Sequence, residues 1–273
     1  MLTGLTKPER EDLDLRVYFA NTKPSDHPFW NSWLLGLVDK FESAQSIVSS
    51  TEFQTLEELE AAKSFFHKSG LDFSYALEDC YRSSRSPYIA IFEGDVIVAD
   101  GWFARARMGL KNIAERTAIT KEPWLDMRMF NEEGNIGWDT TSLLGNNVPY
   151  LAAGFSAIFL GFTLLFRRYT RFPTISNSAL FFLCFITIPL VIMLFFQTGK
   201  SSTIRPAAGI SVQDWGCCSQ ALILQREQAP GLVKELRDKS PTMSADIIVL
   251  DYARAQNLRR YVLNPVQVQH LGQ

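Results

Sequence analysis

A chain of 273 residues with 47% hydrophobic content is long enough for one sizeable core or two small domains. Its formal net charge of −2, with no Lys/Arg-rich run, leaves neither a basic field nor a polybasic arm and argues against nucleic acid as a partner. Four cysteines, at 80, 184, 217 and 218, fit neither a C-x-x-C metal pattern nor a dense disulfide framework; Cys80 can bridge to Cys217 or Cys218, or the thiols stay free and buried.

Residues 1–14, MLTGLTKPEREDLD, are polar and helix-compatible and lack signal-peptide character. Leu15 to Ala20 alternates as a strand does, and the turn chemistry of NTKPSDHP follows. Trp30, Trp33, Leu34, Leu37 and Val38 recur at helical spacing, which predicts a helix from about Phe29 with these side chains in the core. Between Glu52 and Arg82 the apolar positions Phe65, Phe66, Phe73, Tyr75, Leu77 and Cys80 predict one or two amphipathic helices, broken near Ser69-Gly70. His67 is expected to be a surface or half-buried histidine rather than a ligand.

Pro87 to Trp102, PYIAIFEGDVIVADGW, is the centre of the sequence. Its apolar run predicts a buried strand, and Glu93 and Asp95 sit on the turn beyond it. In an α/β sheet the ligand crevice lies beyond the carboxyl ends of strands, where such acids can hold a hard divalent cation against a phosphate. An isolated E-x-D is by itself more often a solvated acidic turn, and Gly94 between the two lets a backbone approach a ligand. Trp102 to Ala114 then predicts a helix and Trp124 to Phe130 a strand, followed by NEEGNIGW with its adjacent carboxylates Glu132 and Glu133.

Val148 to Phe166 and Ala179 to Phe196 are uncharged, mainly apolar runs close to bilayer-spanning length. Two spanning helices joined by a hairpin turn are the natural expectation, with Pro189 as a kink in the second. Arg167, Arg168 and Arg171 in the turn, with no acid beside them, predict that the turn is cytosolic and both polar portions lie on the opposite side. Neither span carries an ionisable residue that would mark a polar conduction pathway. Beyond Lys200, DWGCCSQALILQ has the pattern of a loop feeding a strand, Gln228 to Asp238 and Asp246 to Ala255 predict helices, and Arg260 to Leu263 a short strand. From its own surroundings His270, in the tail, is expected at the surface.

LTGLTKPERED, YALEDC, PYIAIFEGDVIVADGW, Gly137-Trp138, DWGCCSQALIL and PVQVQHLG, in this order around the apolar hairpin, resemble the fungal branch of the post-GPI-attachment N-acetylgalactosamine transferases, and more distantly the N-acetylglucosaminyltransferase IV family. The resemblance implies an α/β fold: a GT-A-like, Rossmann-type lumenal glycosyltransferase domain interrupted by a two-helix transmembrane hairpin. Residues 1–146 and 199–273 are then two parts of one lumenal domain, and 147–198 the hairpin. The family's signal anchor and first nucleotide-binding strand, which precede the LTGLT-like segment, are not in this sequence.

The implied activity is metal-assisted, inverting transfer of a sugar from a UDP donor, UDP-N-acetylgalactosamine, to a mannose of the GPI-anchor glycan in the Golgi or ER membrane, with the bilayer as a further partner. Glu93 and Asp95 match the family's acidic triplet and His270 its late Gln-His, which implies a manganese site of mixed carboxylate and imidazole donors. Gly94 stands where the family has a third acid. Candidates to accept the acceptor's proton are Asp246, Glu132 and Glu133, with none preferred, and Trp215, Gly216 and Trp138 are candidate substrate-binding positions. The alternative from another class is a noncatalytic, membrane-bound interaction protein.

Overall fold

The computed structural model describes residues 1–2, 4–131, 143–170, 176–199, 206–214, 216 and 218–272, and divides into two compact units, Met1–Asn131 with Ala207–Gln273, and Glu132–Pro206. The first unit is built on a mixed five-stranded sheet of β3 (Tyr88–Phe92), β5 (Trp124–Arg128), β6 (Gly209–Val212), β7 (Ala221–Gln225) and β8 (Arg259–Asn264), in the order β3-β7-β5-β8-β6. Only β5 and β8 run parallel. All five residues of β5 are buried, as a central strand covered on both faces requires.

Successive side chains of the strands feed opposite faces. On one face Leu125, Leu222 and Leu224 pack with helices α4 (Phe65–Ser83), α8 (Ala229–Lys239) and α9 (Ala245–Ala255), through Leu77, Leu232, Leu236, Ile248 and Val249. On the other, Met127, Ile223, Tyr261 and Leu263 pack against Trp102, Ala106 and Ile113 of α5 (Trp102–Thr120). Gly70, expected to mark a helix break, lies inside α4. A Cβ there would stand 2.6 Å from that of Ser240, so the glycine serves close packing, and the break falls before Phe65, where Lys63 adopts a left-handed φ of 54°. His67 is half-buried, as expected.

Several expectations need correction. The run from Phe29 does not form an α-helix: Asn31 is left-handed (φ 56°) and only a single 3₁₀ turn, Trp33–Gly36, follows. Trp33 is 69% exposed rather than in the core, and Phe29 and Leu37 are exposed too. The chain there instead runs into β2 (Lys40–Ser43), which pairs in parallel with β1 (Arg16–Phe19) as a small separate sheet. Phe65 and Phe66, the latter 76% exposed, open α4 outside the core because the first turn of the helix precedes its packed face. The strand β3 is an edge, with Ile89 buried but Ala90 exposed, and not the fully buried strand that its apolar run suggests. Period-two alternation is the same at an edge and in the centre; only partners distinguish them.

The polar tail forms a strand, β9 (Val268–His270), paired antiparallel with β4 (Val96–Val98), so that Val96 stands opposite His270. Cys80 and Cys184 are free thiols, and burial pushes that of Cys80 up to about 11, while Cys218 is disulfide-bonded. A bridge through Cys80 is therefore excluded.

The second unit carries two helices long and apolar enough to cross a membrane, α6 (Val148–Thr170) and α7 (Asn177–Gln197). The 21 residues of α7 rise roughly 31 Å, about the thickness of a bilayer's hydrocarbon core. Phe155, Phe162, Phe185 and Leu190 are exposed, an apolar surface that suits lipid rather than water. Ahead of Pro189, α7 loosens into a π-turn over Leu183–Thr187, and Ser156 of α6 donates a hydrogen bond to the Cys184 carbonyl within it (2.7 Å). The helix thus carries a π-turn ahead of Pro189, bonded to the neighbouring helix. Arg171 lies outside the described residues; Arg167 bonds Asn177 (2.8 Å) across the turn.

Candidate active site

Glu93 and Asp95 occupy the turn between β3 and β4. β3 stays in the main sheet while β4 leaves it to pair with β9, and this divergence draws the tail back over the turn. The backbone N–H of Leu271 donates to the Asp95 carbonyl (3.0 Å), and Nε2 of His270 lies 2.9 Å from the Asp95 carboxylate. One ligand atom each from Glu93, Asp95 and His270 lie within 4.8 Å of one another. Asp95 and His270 are partly exposed, so the cluster opens to solvent. Phe130 places its ring edge-on to the imidazole, with 6.0 Å between centroids.

Glu93 is held more tightly. Its N–H donates to the carbonyl of Gln220 (2.9 Å), and Ser219 Oγ donates to its carboxylate (2.7 Å). Burial, and then the charges of Asp95 and Asp246, push the Glu93 carboxyl above the ordinary range, against the opposing pull of the Ser219 hydrogen bond and of His270. A cation placed among these donors relieves that burden, and two carboxylates with an imidazole suit a first-row divalent metal better than calcium. Asp246, in the first turn of α9, accepts from Ser244 and is near enough to influence Glu93.

Gly94 has no left-handed φ, and a Cβ there would meet nothing within 4 Å. The backbone does not demand glycine, so a third acid fits without strain. If the cluster holds manganese, Gly94→Asp is expected to raise its affinity several-fold at unchanged stability, measured by metal titration alongside thermal unfolding; unchanged affinity would show that the added carboxylate does not join the ligand set.

Gly216, a candidate for substrate contact, is buried at a φ of +142°, and a Cβ would fall 1.9 Å from Arg128 Nη1. Here glycine is dictated by packing against a guanidinium. Glu132, Glu133, Trp138 and Trp215 lie outside the described residues.

Sequence reasoning missed the polar cluster beneath this loop. Arg260 of β8 grips Asp126 of β5 with both ends of its fork, Nε at 2.9 and 3.1 Å and Nη2 at 2.7 Å, and its Nη1 donates to the Gly216 carbonyl at 3.1 Å. Arg128 donates to the Gln213 carbonyl (2.7 Å), and Asn131 to the Gln213 side chain (2.9 Å). Asp126, Arg128 and Arg260 are all essentially inaccessible to solvent. Burial, then the charge of Arg260, push Arg128 down to about 10. The available signal was the charges Asp126 and Arg128 in WLDMR and Arg260 in RRYVLN, set among apolar strand residues, where only a paired charge is tolerated.

The fold and site define a mixed helix-and-sheet protein with two helices that could span a membrane and a half-buried carboxylate–imidazole cluster at a strand end. Residues 5–269, nearly the whole chain, match the family model described as GPI-N-acetylgalactosamine transferase PGAP4, and the chain belongs to that family. The family is one of glycosyltransferases, which makes the chain an enzyme with a sugar donor and a GPI-glycan acceptor. No curated protein and no solved structure gives a significant match.

Proposed function

We propose that this protein is a metal-dependent membrane glycosyltransferase that moves N-acetylgalactosamine from its UDP donor to a mannose of the GPI-anchor glycan, with inversion, in the lumen of the Golgi or ER. The observation that carries this reading is the meeting of Glu93, Asp95 and His270 donor atoms within 4.8 Å beyond the end of β3. A GT-A-like arrangement of the sheet, with the apolar hairpin as an insertion, is the fold that goes with it.

In this reading Glu93, Asp95 and His270 hold manganese, which when bound supplies Lewis-acid stabilisation of the departing diphosphate. The Asp95–His270 contact sets the ring and carboxylate relative to each other, so the donors need little reorganisation. An inverting transfer also needs a carboxylate to take the proton of the attacking mannose hydroxyl. Asp246 is the favoured base among the described residues, because its charge reaches Glu93 and the Ser244 hydroxyl that bonds it leaves it lone pairs to accept with. Glu132 and Glu133 are the alternative bases. Trp138 and Trp215 offer aromatic faces of the kind that pack on a sugar ring.

The test is calorimetric titration of UDP into the detergent-purified chain with and without manganese. Binding that requires manganese supports the reading. A folded protein that binds no UDP under either condition overturns it.

A further inference from the structure

We propose that Ser219 is a positioning residue for the cation site, fixing the Glu93 carboxylate in the orientation in which it can share an ion with Asp95 and His270. This rests on the manganese reading above. The hydroxyl donates to Glu93 Oε1 at 2.7 Å, while the next residue, Gln220, receives the Glu93 N–H through its carbonyl at 2.9 Å. Residues 219 and 220 thereby grip the same glutamate at side chain and backbone. A glutamate at a turn otherwise has three side-chain torsions to order, and holding one carboxylate oxygen removes most of that freedom while leaving the other oxygen and remaining lone pairs for a metal.

Described residues near Ser219 are themselves tied to buried groups, which separates this contact from an incidental surface hydrogen bond. Gly216 is buried at a φ of +142°, with its carbonyl tied to the buried Arg260. Cys218, immediately before Ser219, is disulfide-bonded and held at a φ of +90°, a conformation that costs a residue with a Cβ about 1 kcal/mol or more and persists only where its surroundings impose it. Two strands back, Arg128 fastens the Gln213 carbonyl. Gln213 is thus anchored to the sheet, and Ser219 and Gln220 to Glu93. Partners that orient metal-ligating carboxylates in this way change affinity by about 10–100-fold when removed.

The experiment compares the full chain with Ser219→Ala, Ser219→Thr and Asp95→Ala in detergent, reading manganese affinity from the free-ion electron paramagnetic resonance signal and stability from thermal unfolding. Ser219→Ala is expected to weaken manganese binding at least about 10-fold with an unchanged unfolding midpoint, and Ser219→Thr, which keeps the hydroxyl, to stay within about threefold of the parent. Three outcomes overturn the proposal: parent-like affinity in Ser219→Ala, a threonine variant as weak as the alanine one, or a lowered midpoint with affinity retained. If the parent itself binds no manganese, the cation reading falls and this inference with it. If the parent binds and Asp95→Ala does not, that reading stands and the serine variants alone decide the inference.

Discussion

Asp95→Ala is expected to abolish manganese-dependent UDP binding while leaving the protein folded. The substitution removes a carboxylate whose ligand atom lies within 4.8 Å of those of Glu93 and His270, and also the partner that orients the His270 ring at 2.9 Å. Loss of an outer partner alone costs about 10–100-fold in metal affinity, so loss of a direct ligand together with that partner is set at more than about 100-fold. The fold has little at stake. The Asp95 side chain is partly exposed, and the hydrogen bond that ties the tail to this turn runs from Leu271 N–H to the Asp95 main-chain carbonyl, which alanine keeps. Stability should therefore move by no more than ~0.5 kcal/mol, the usual range for surface substitutions. Calorimetry of UDP binding with thermal unfolding checks both halves, and retained manganese-dependent binding would place the metal elsewhere.

Asp126→Ala should do the opposite, lowering stability heavily at a residue remote from solvent. Arg260 and Arg128 lie buried beside one another, and among the described residues Asp126 is the fully buried acid that pairs with Arg260; Asp214 is partly exposed and already engages Arg259 (2.6 Å). Removing one partner of a buried pair leaves an uncompensated charge, at a cost of about 3–5 kcal/mol. For a domain of this size that lowers the unfolding midpoint by roughly 10 °C. Asp126→Asn, which keeps one acceptor oxygen but loses the charge, should fall between the alanine variant and the parent. Thermal unfolding at a fixed scan rate measures the series, and a loss below ~1 kcal/mol in the alanine variant would mean that the two guanidiniums are neutralised by other groups. The same network holds Gln213 and Gly216, so under the proposed cation site a partial loss of metal affinity should accompany the loss of stability.

Much of the secondary structure was legible because it rests on local patterns. The apolar periodicity around Phe73 and Leu77, the short apolar run of ALILQ and the uninterrupted apolar runs of the hairpin each identify their element from neighbouring residues alone. The segment from Phe29 misled for the same reason. Its tryptophans and leucines recur at helical spacing, but Asn31 in a left-handed conformation and the pairing of β1 with β2 override that period. The tail was legible only by resemblance, since QVQH has no strand pattern strong enough to announce a partner.

The sequence by itself determined the class of the molecule: its family, the two membrane-length helices and the acids at the end of PYIAIF follow from composition, periodicity and motif order. The tertiary structure alone decided that β3 is an edge, that Gly216 must lack a side chain because Arg128 fills its space, and that the tail pairs with β4 as the strand that brings His270 to Asp95. The physical reason is range. Torsional preference and burial period act over a few residues, whereas a strand's neighbours, a buried charge's partner and a site's ligands are set by contacts between segments far apart in the chain.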